Sequence, residues 1–219
     1  MDGQGGHTRN LRDLLVPAVF IALLVAGLDI AQWLRAAPLW VDEEMIAINI
    51  RDRFFSELPG PLWLGQSAPL GWLVVQRALL LTLGTGELVL RFVPLLFGIA
   101  TVAAAVWVGR RWMHPWAAAL LVALCGVSQW MSHYRFELKH YSADAFWALL
   151  LPALAAWTAE ATDPARQRAR WVRWWAVAAL AQWLANGAIL VTPACAVVLA
   201  VVILWRQGIR ASFGFALTG

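Results

Sequence analysis

Apolar residues in this chain come in long blocks that short polar segments separate. The six strongest blocks cover residues 14–34, 88–108, 116–131, 143–159, 174–184 and 189–205. Most of them approach the length of about 20 residues that a helix needs to cross the hydrocarbon core of a bilayer. The pattern predicts an all-α fold, a polytopic transmembrane helix bundle with about six spans over residues 14–219, after a polar tail over residues 1–13.

A seventh apolar segment, residues 70–83, is shorter and contains Arg77. Stretches of about 10–14 apolar residues lie more often at the membrane interface than across the membrane. If this segment does not cross and the N-terminus is cytoplasmic, the inner side carries ten basic and four acidic residues, and the outer side seven and eight. That distribution follows the positive-inside rule. It predicts both ends in the cytoplasm and a long first outer loop, residues 36–86, with two juxtamembrane helices near residues 43–55 and 70–83.

Composition excludes a soluble domain. Hydrophobic residues make up 61% of the chain and charged residues 14%, against roughly 45–50% and about 25% in soluble domains. The formal charge is +4, but the basic residues form no continuous stripe, so no nucleic-acid partner is expected. Cys125 and Cys195 lie inside apolar blocks, where a thiol most simply acts as a small hydrophobic group.

Two polar clusters lie in the first outer loop. Asp42 and Glu43 directly follow the first span, and Gln66 opens the turn before the second juxtamembrane helix. Each cluster has a structural explanation, because acids stabilise the first turn of a helix and proline is favoured there. Carboxylates at the membrane edge are also candidates for a general base.

A third cluster lies in the second outer loop, over residues 133–144, between two apolar blocks. It contains Arg135, Glu137, Lys139, His140 and Tyr141. A solvated loop with internal ion pairs would explain it. Together with Arg91 at the outer end of the second span, however, the same cations could hold a phosphate as negative charge develops on it. Ionisable groups at membrane depth or at its edge suggest function.

At these residues the chain resembles the GT-C superfamily of polytopic glycosyltransferases, which take a sugar from a polyprenyl-phosphate carrier at the outer membrane face. The similarity follows the order of the chain through five short motifs. They cover residues 39–43, 67–72, 84–94, 110–111 and 134–142. The resemblance implies a transferase in the cytoplasmic membrane that acts on its outer side, with a lipid, glycan or protein as acceptor.

The resemblance also implies roles for individual residues. Asp42 matches the catalytic carboxylate that activates the acceptor, and Glu43 would support it or bind the acceptor. The candidates for binding the carrier phosphate and the rest of the substrate are Gln66, Arg91, Arg135, Glu137, Lys139, His140 and Tyr141. In one branch, the catalytic subunits of oligosaccharyltransferase, outer-loop acids bind a divalent metal. The paired acids of that branch are replaced here by Glu137 and Lys139, so no cofactor is predicted and a metal is not favoured.

Two other classes of function remain open. Members of the family have more spans, and the segment 213–219 resembles the start of a further apolar block. A non-catalytic membrane protein that binds a polyprenyl lipid or a partner subunit is therefore an alternative. A small transporter is another, because transporters place ionisable groups near the midplane of the membrane. Asp29 is the deep acid of the first span, and the sequence indicates no basic partner for it near the midplane. Asp29 could instead face the bundle interior and bond a neighbouring hydroxyl or tryptophan. The pair Asn186 and Gly187 is predicted to be a turn between two helices.

Overall fold

The computed structural model describes residues 16–207, and every regular element in that range is helical. The predicted tail over residues 1–13 and the apolar segment 213–219 lie outside the described residues. Two short 3-10 helices, Phe55–Glu57 and Trp63–Gly65, lie between α2 and α3. The α-helices are α1 Val16–Trp33, α2 Val41–Asp52, α3 Leu70–Leu83, α4 Glu87–Leu90, α5 Phe92–Trp112, α6 Pro115–Val127, α7 Gln129–Tyr134, α8 Tyr141–Ala159, α9 Pro164–Leu184 and α10 Ala188–Gln207.

Four helical segments in the described part of the chain are long and apolar enough to cross a membrane. They are Val16–Trp33, Glu87–Trp112, Tyr141–Ala159 and Ala188–Arg206. Leu70–Leu83 and Pro115–Val127 are apolar but shorter. The predicted block 174–184 is the second half of α9, whose first half contains several arginines. The fold is therefore an all-α bundle with four helices of membrane-spanning character.

Two predicted boundaries are wrong. The block 116–131 is not one continuous helix, because α6 ends at Val127 and the Ser128 side chain accepts a hydrogen bond from the Met131 backbone N–H at the start of α7. A serine hydroxyl satisfies a free N–H group in this way at helix starts. The first juxtamembrane helix begins at Val41 and ends at Asp52, and the chain after it turns into a 3-10 helix. The second juxtamembrane helix, α3, has the predicted bounds.

Helix α5 lies in the middle of the bundle and packs against α1, α6 and α8, while α8 also packs against α9 and α10. Gly109 in α5 lies so close to Ala118 in α6 that an added Cβ would stand 2.5 Å from the Ala118 Cβ. Small residues let helices approach closely in this manner where lipid offers no hydrophobic driving force for association.

Helices α2 and α3 pack against each other and cover one end of the bundle. Their contact is a buried apolar cluster that includes Ile46, Ile50, Leu73 and Leu80. Leu138, from the segment between α7 and α8, belongs to the same cluster. This packing brings the start of α2 and the α7–α8 connection together, which the linear sequence separates by about 95 residues.

Candidate functional site

Glu43 joins three separate parts of the chain at the covered end of the bundle. Its side chain is 1% exposed. Oε1 accepts a hydrogen bond of 2.8 Å from the Leu138 backbone N–H, and Oε2 accepts one of 2.9 Å from the Trp40 backbone N–H. Oε2 also lies 2.7 Å from Nη2 of Arg91. A buried charge is tolerated only when it is paired and hydrogen-bonded. Arg91 supplies the opposite charge for Glu43, and the two backbone N–H groups supply further hydrogen bonds.

Arg91 lies at the break between α4 and α5, and its guanidinium is used by the protein itself. Besides Glu43, it donates to the Ala37 carbonyl at 2.7 Å and to the Pro38 carbonyl at 3.1 Å. The residue is buried. Arg91 therefore fixes the α1–α2 connection and the start of α2 relative to α5.

Asp42 differs from its neighbour Glu43, because its side chain is 57% exposed. Its Oδ2 lies 2.9 Å from Nζ of Lys139. The hydrogen bond from Lys139 is the main reason that the pKa of Asp42 lies below its ordinary value of 3.8. Burial alone would lower the pKa of Lys139, but the hydrogen bond to Asp42 and nearby negative charge raise it. The site therefore presents an ionised carboxylate to solvent beside an ionised amine.

A further carboxylate, Glu137, lies on the same segment as Lys139. Burial is the main cause that raises the pKa of Glu137 above its ordinary value of 4.5, and the charges of Asp42 and Glu43 raise it further. His133, whose Nε2 is 2.7 Å from Oε1 of Glu137, lowers the pKa of Glu137. Two carboxyl groups in one site thus have pKa values displaced in opposite directions, an arrangement typical of acid and base chemistry.

His140 connects the same segment to the turn between α9 and α10. Its Nε2 is 3.1 Å from Nδ2 of Asn186 and 3.6 Å from Oδ2 of Asp144. Asp144 in turn accepts a 2.7 Å hydrogen bond from the Gly187 backbone N–H. The predicted turn at Asn186 and Gly187 is confirmed, since α9 ends at Leu184 and α10 begins at Ala188. Its contact with His140 was not predicted, because nothing local in the sequence links positions 46 residues apart.

The stability of the fold should depend on the protonation of His140. Burial lowers the pKa of His140 below its ordinary value of 6.5, against the raising effect of Asp144, and Lys139 lowers it further. The unfolded chain therefore binds this proton first as the pH falls. His140 contributes stability that is present above pH 6.5 and is lost as the pH falls through its folded pKa, by at most about 1.4 kcal/mol per pH unit.

The measurement is the thermal unfolding midpoint of the detergent-purified protein between pH 8 and pH 5, compared with that of His140→Gln. We expect the variant to lose less stability than the unaltered protein over this interval. His114→Gln is the matched control, since His114 is exposed and its side chain has no ion-pair partner within residues 16–207. Identical pH curves for the unaltered protein and His140→Gln would contradict the expected linkage.

Arg135 is placed inside the bundle, where its side chain is 1% exposed. Nη1 is 2.5 Å from Oδ2 of Asp29 in α1. The guanidinium also donates to the carbonyls of Gly126 and Met131. The expectation that Asp29 has no basic partner is wrong, because the return of the chain after α7 brings Arg135 beside α1, 106 residues from Asp29.

The remaining predicted site residues lie around this framework. The Tyr141 ring packs edge-on against Tyr134, with centroids 4.8 Å apart, and also contacts the His140 ring. Gln66 contacts Met45 on α2, with Nε2 3.6 Å from Sδ. Over residues 16–207, no three His, Cys, Asp or Glu side chains are grouped closely enough to hold a metal ion.

The structure thus brings Asp42, Glu43, Arg91, Lys139 and Glu137 together at one end of the bundle. Comparison with protein-family models, curated proteins and solved structures finds no match for this chain. The geometry and charge of these residues are therefore the basis for inferring a function.

Proposed function

We propose that the chain is a membrane glycosyltransferase, or the part of one that carries the catalytic base, and that it takes a sugar from a polyprenyl-phosphate carrier. The observation that supports the proposal most strongly is the contrast between Asp42 and Glu43. Glu43 is buried and fully bonded, and it holds α2 in place. Asp42, one position earlier, is exposed, and its carboxylate is kept ionised by Lys139.

In the proposed reaction, the Asp42 carboxylate takes the proton of an acceptor hydroxyl. The acceptor oxygen forms a bond to the anomeric carbon of the sugar as the bond from that carbon to the phosphate oxygen breaks. The electron pair leaves with the polyprenyl phosphate. Lys139, the cation that contacts Asp42, would stabilise the charge that develops on that phosphate. A carboxylate within hydrogen-bond reach of the acceptor contributes as a general base.

The sequence analysis made Arg91 and Arg135 candidates for binding the carrier phosphate. The proposal gives them a positioning role instead. Both guanidiniums are bonded to buried carboxylates and backbone carbonyls. In the proposal they position the segment that contains Lys139, and Lys139 faces the phosphate. The site needs no metal ion in this scheme, because Lys139 supplies the positive charge.

The proposal includes an orientation for the membrane. About six spans, with α6 and the apolar half of α9 added to the four long helices, would place Asp42 and Lys139 on the outer side of the cytoplasmic membrane. The distribution of arginines supports this, because Arg110, Arg111 and the first turns of α9 then lie inside, as the positive-inside rule requires.

The direct test measures donor turnover. The full chain, reconstituted in lipid nanodiscs, is incubated with undecaprenyl-phosphate mannose, glucose or arabinose and with a membrane extract as the source of acceptor. We expect one donor to be consumed, with undecaprenyl phosphate and a glycosylated product appearing together when EDTA is present. Consumption no greater than that of empty nanodiscs, for every donor tried, would contradict the proposed activity.

A second candidate function is binding of a polyprenyl lipid without catalysis. The observation that favours it is the internal use of Arg91 and Arg135, which leaves few free cations around Asp42. Retention of undecaprenyl phosphate by the nanodisc-embedded chain, with no donor consumed, would support this function over the first.

A further inference from the structure

Arginines are concentrated at the end of the bundle opposite Asp42. Helices α5 and α8 begin beside the candidate site and end here, where α9 begins and α10 ends. Within residues 16–207, the arginines at this end are Arg110, Arg111, Arg166, Arg168, Arg170, Arg173 and Arg206, and the acids are Glu160 and Asp163. These charged residues take no part in the proposed transfer reaction.

Three of these arginines have a side-chain partner within the fold. Arg111 pairs with Glu160, which also accepts a hydrogen bond from the Trp112 indole. Arg170 donates to the Trp157 carbonyl and lies over its ring at 4.1 Å. Arg206 donates to the Ala159 carbonyl at 2.6 Å. Glu160, an acid at this end, is therefore already occupied.

Arg110 is exposed, and within residues 16–207 its side chain forms no hydrogen bond or ion pair. It lies at one end of a groove of about 470 Å³ on the surface of α5. The residues that line this groove are Ala103, Val106, Trp107, Arg110 and Arg111. Their spacing of three, four, seven and eight positions places them along one face of the helix.

The chemistry of this groove changes along its length. Ala103, Val106 and Trp107 line its apolar part, and the two arginines lie at the end where α5 stops. A molecule that fits such a surface has an anionic head and an apolar chain attached to it. Tryptophan rings are favoured at the level of lipid head groups, and arginine is suited to bind phosphate through several N–H donors.

We infer that the α5 groove is a binding site for an anionic phospholipid, with the lipid phosphate on Arg110 and an acyl chain along Trp107 and Ala103. The charge of Arg110, which has no ion-pair partner within residues 16–207, selects a lipid whose head group is negative overall over one that is zwitterionic. This site is separate from the proposed transferase site and does not depend on it, since it lies at the other end of α5.

Native mass spectrometry of the full chain in detergent tests the inference. The probes are phosphatidylglycerol and phosphatidylcholine with the same acyl chains, titrated separately against the unaltered protein and each variant. We expect phosphatidylglycerol to bind more tightly, and Arg110→Gln to weaken it about fivefold, the effect of roughly one arginine charge near an anionic surface. Trp107→Ala should weaken both lipids, because it removes the surface along the acyl chain.

Two matched controls remove one arginine elsewhere. Arg168→Gln removes an exposed arginine at the same end but outside the groove, and Arg35→Gln removes one at the other end. Neither substitution should change the preference in binding affinity for phosphatidylglycerol over phosphatidylcholine by more than a small fraction of the change that Arg110→Gln causes. Thermal unfolding of each variant confirms that the fold is retained.

Three results would overturn the inference. The first is equal binding of the two lipids by the unaltered protein. The second is an equal loss in Arg168→Gln and Arg110→Gln, which would show diffuse attraction to the charged end. The third is complete competition by millimolar inorganic phosphate, which would show an anion site in which the lipid chain has no part.

Discussion

Replacing Asp42 with asparagine should reduce sugar transfer by roughly a hundredfold to ten-thousandfold, the usual contribution of a general base. The substitution keeps the shape of the side chain and its ability to accept a hydrogen bond from Lys139, so the fold should be unaffected. Because Asp42 is 57% exposed, its charge contributes little to stability. The rate is measured as undecaprenyl phosphate released per minute at saturating donor.

Asp52→Asn is the control for this experiment, because it makes the same change at an exposed position on the same helix. It should retain the full rate. If Asp42→Asn also retained the full rate while consuming the donor normally, Asp42 would not be the base. Glu137, whose pKa burial raises, would then be the next carboxylate to replace.

Replacing Arg135 with glutamine should destabilise the protein by about 3–5 kcal/mol, the cost of breaking a buried ion pair by removing one partner. The change leaves the Asp29 carboxylate without its cation and the Gly126 carbonyl without its donor. The thermal unfolding midpoint of the detergent-purified protein is the measurement. Arg35→Gln, an exposed arginine outside the bundle core, should leave the midpoint unchanged.

The double variant Arg135→Gln/Asp29→Asn separates the charge from the packing. It replaces the ion pair by two neutral amides, so no unpaired charge stays buried and the double variant should recover most of the stability that the single variant loses. A double variant as unstable as the single one would show that the guanidinium acts through its contacts with the carbonyls of Gly126 and Met131, and not through Asp29.

The helical character of the chain could be predicted from the sequence because it depends on local patterns. The bounds of α3 and the turn at Asn186 and Gly187 follow from apolar runs and from turn-forming residues, and both are confirmed. The break at Ser128 was not predicted, because only two polar residues, Ser128 and Gln129, interrupt the apolar block before Trp130 and Met131. A single hydroxyl that caps α7 carries no periodic signal that would mark the end of α6.

The organisation of the site could be predicted only in part. The sequence pattern places Asp42 and Glu43 in the same cluster with the same charge; the family resemblance implies different roles for them, but it does not predict that Glu43 is buried and Asp42 exposed. Their different roles arise because successive residues of a helix point about 100° apart, so that Glu43 faces Arg91 and Leu138 while Asp42 faces outward. That distinction depends on where α5 and the α7–α8 connection pack, which local sequence does not encode.

The pairing of Asp29 with Arg135 has a consequence for the biosynthesis of the protein. Arg135 follows Asp29 by 106 residues, and at about 5–20 residues per second a ribosome needs roughly 5–20 s to add them. During that interval the first helix has already emerged, but the cation that neutralises its buried carboxylate does not yet exist. The final docking of α1 into the bundle must therefore wait until Arg135, directly after α7, has been synthesised. Until then, other groups must shield the Asp29 carboxylate from the apolar surroundings.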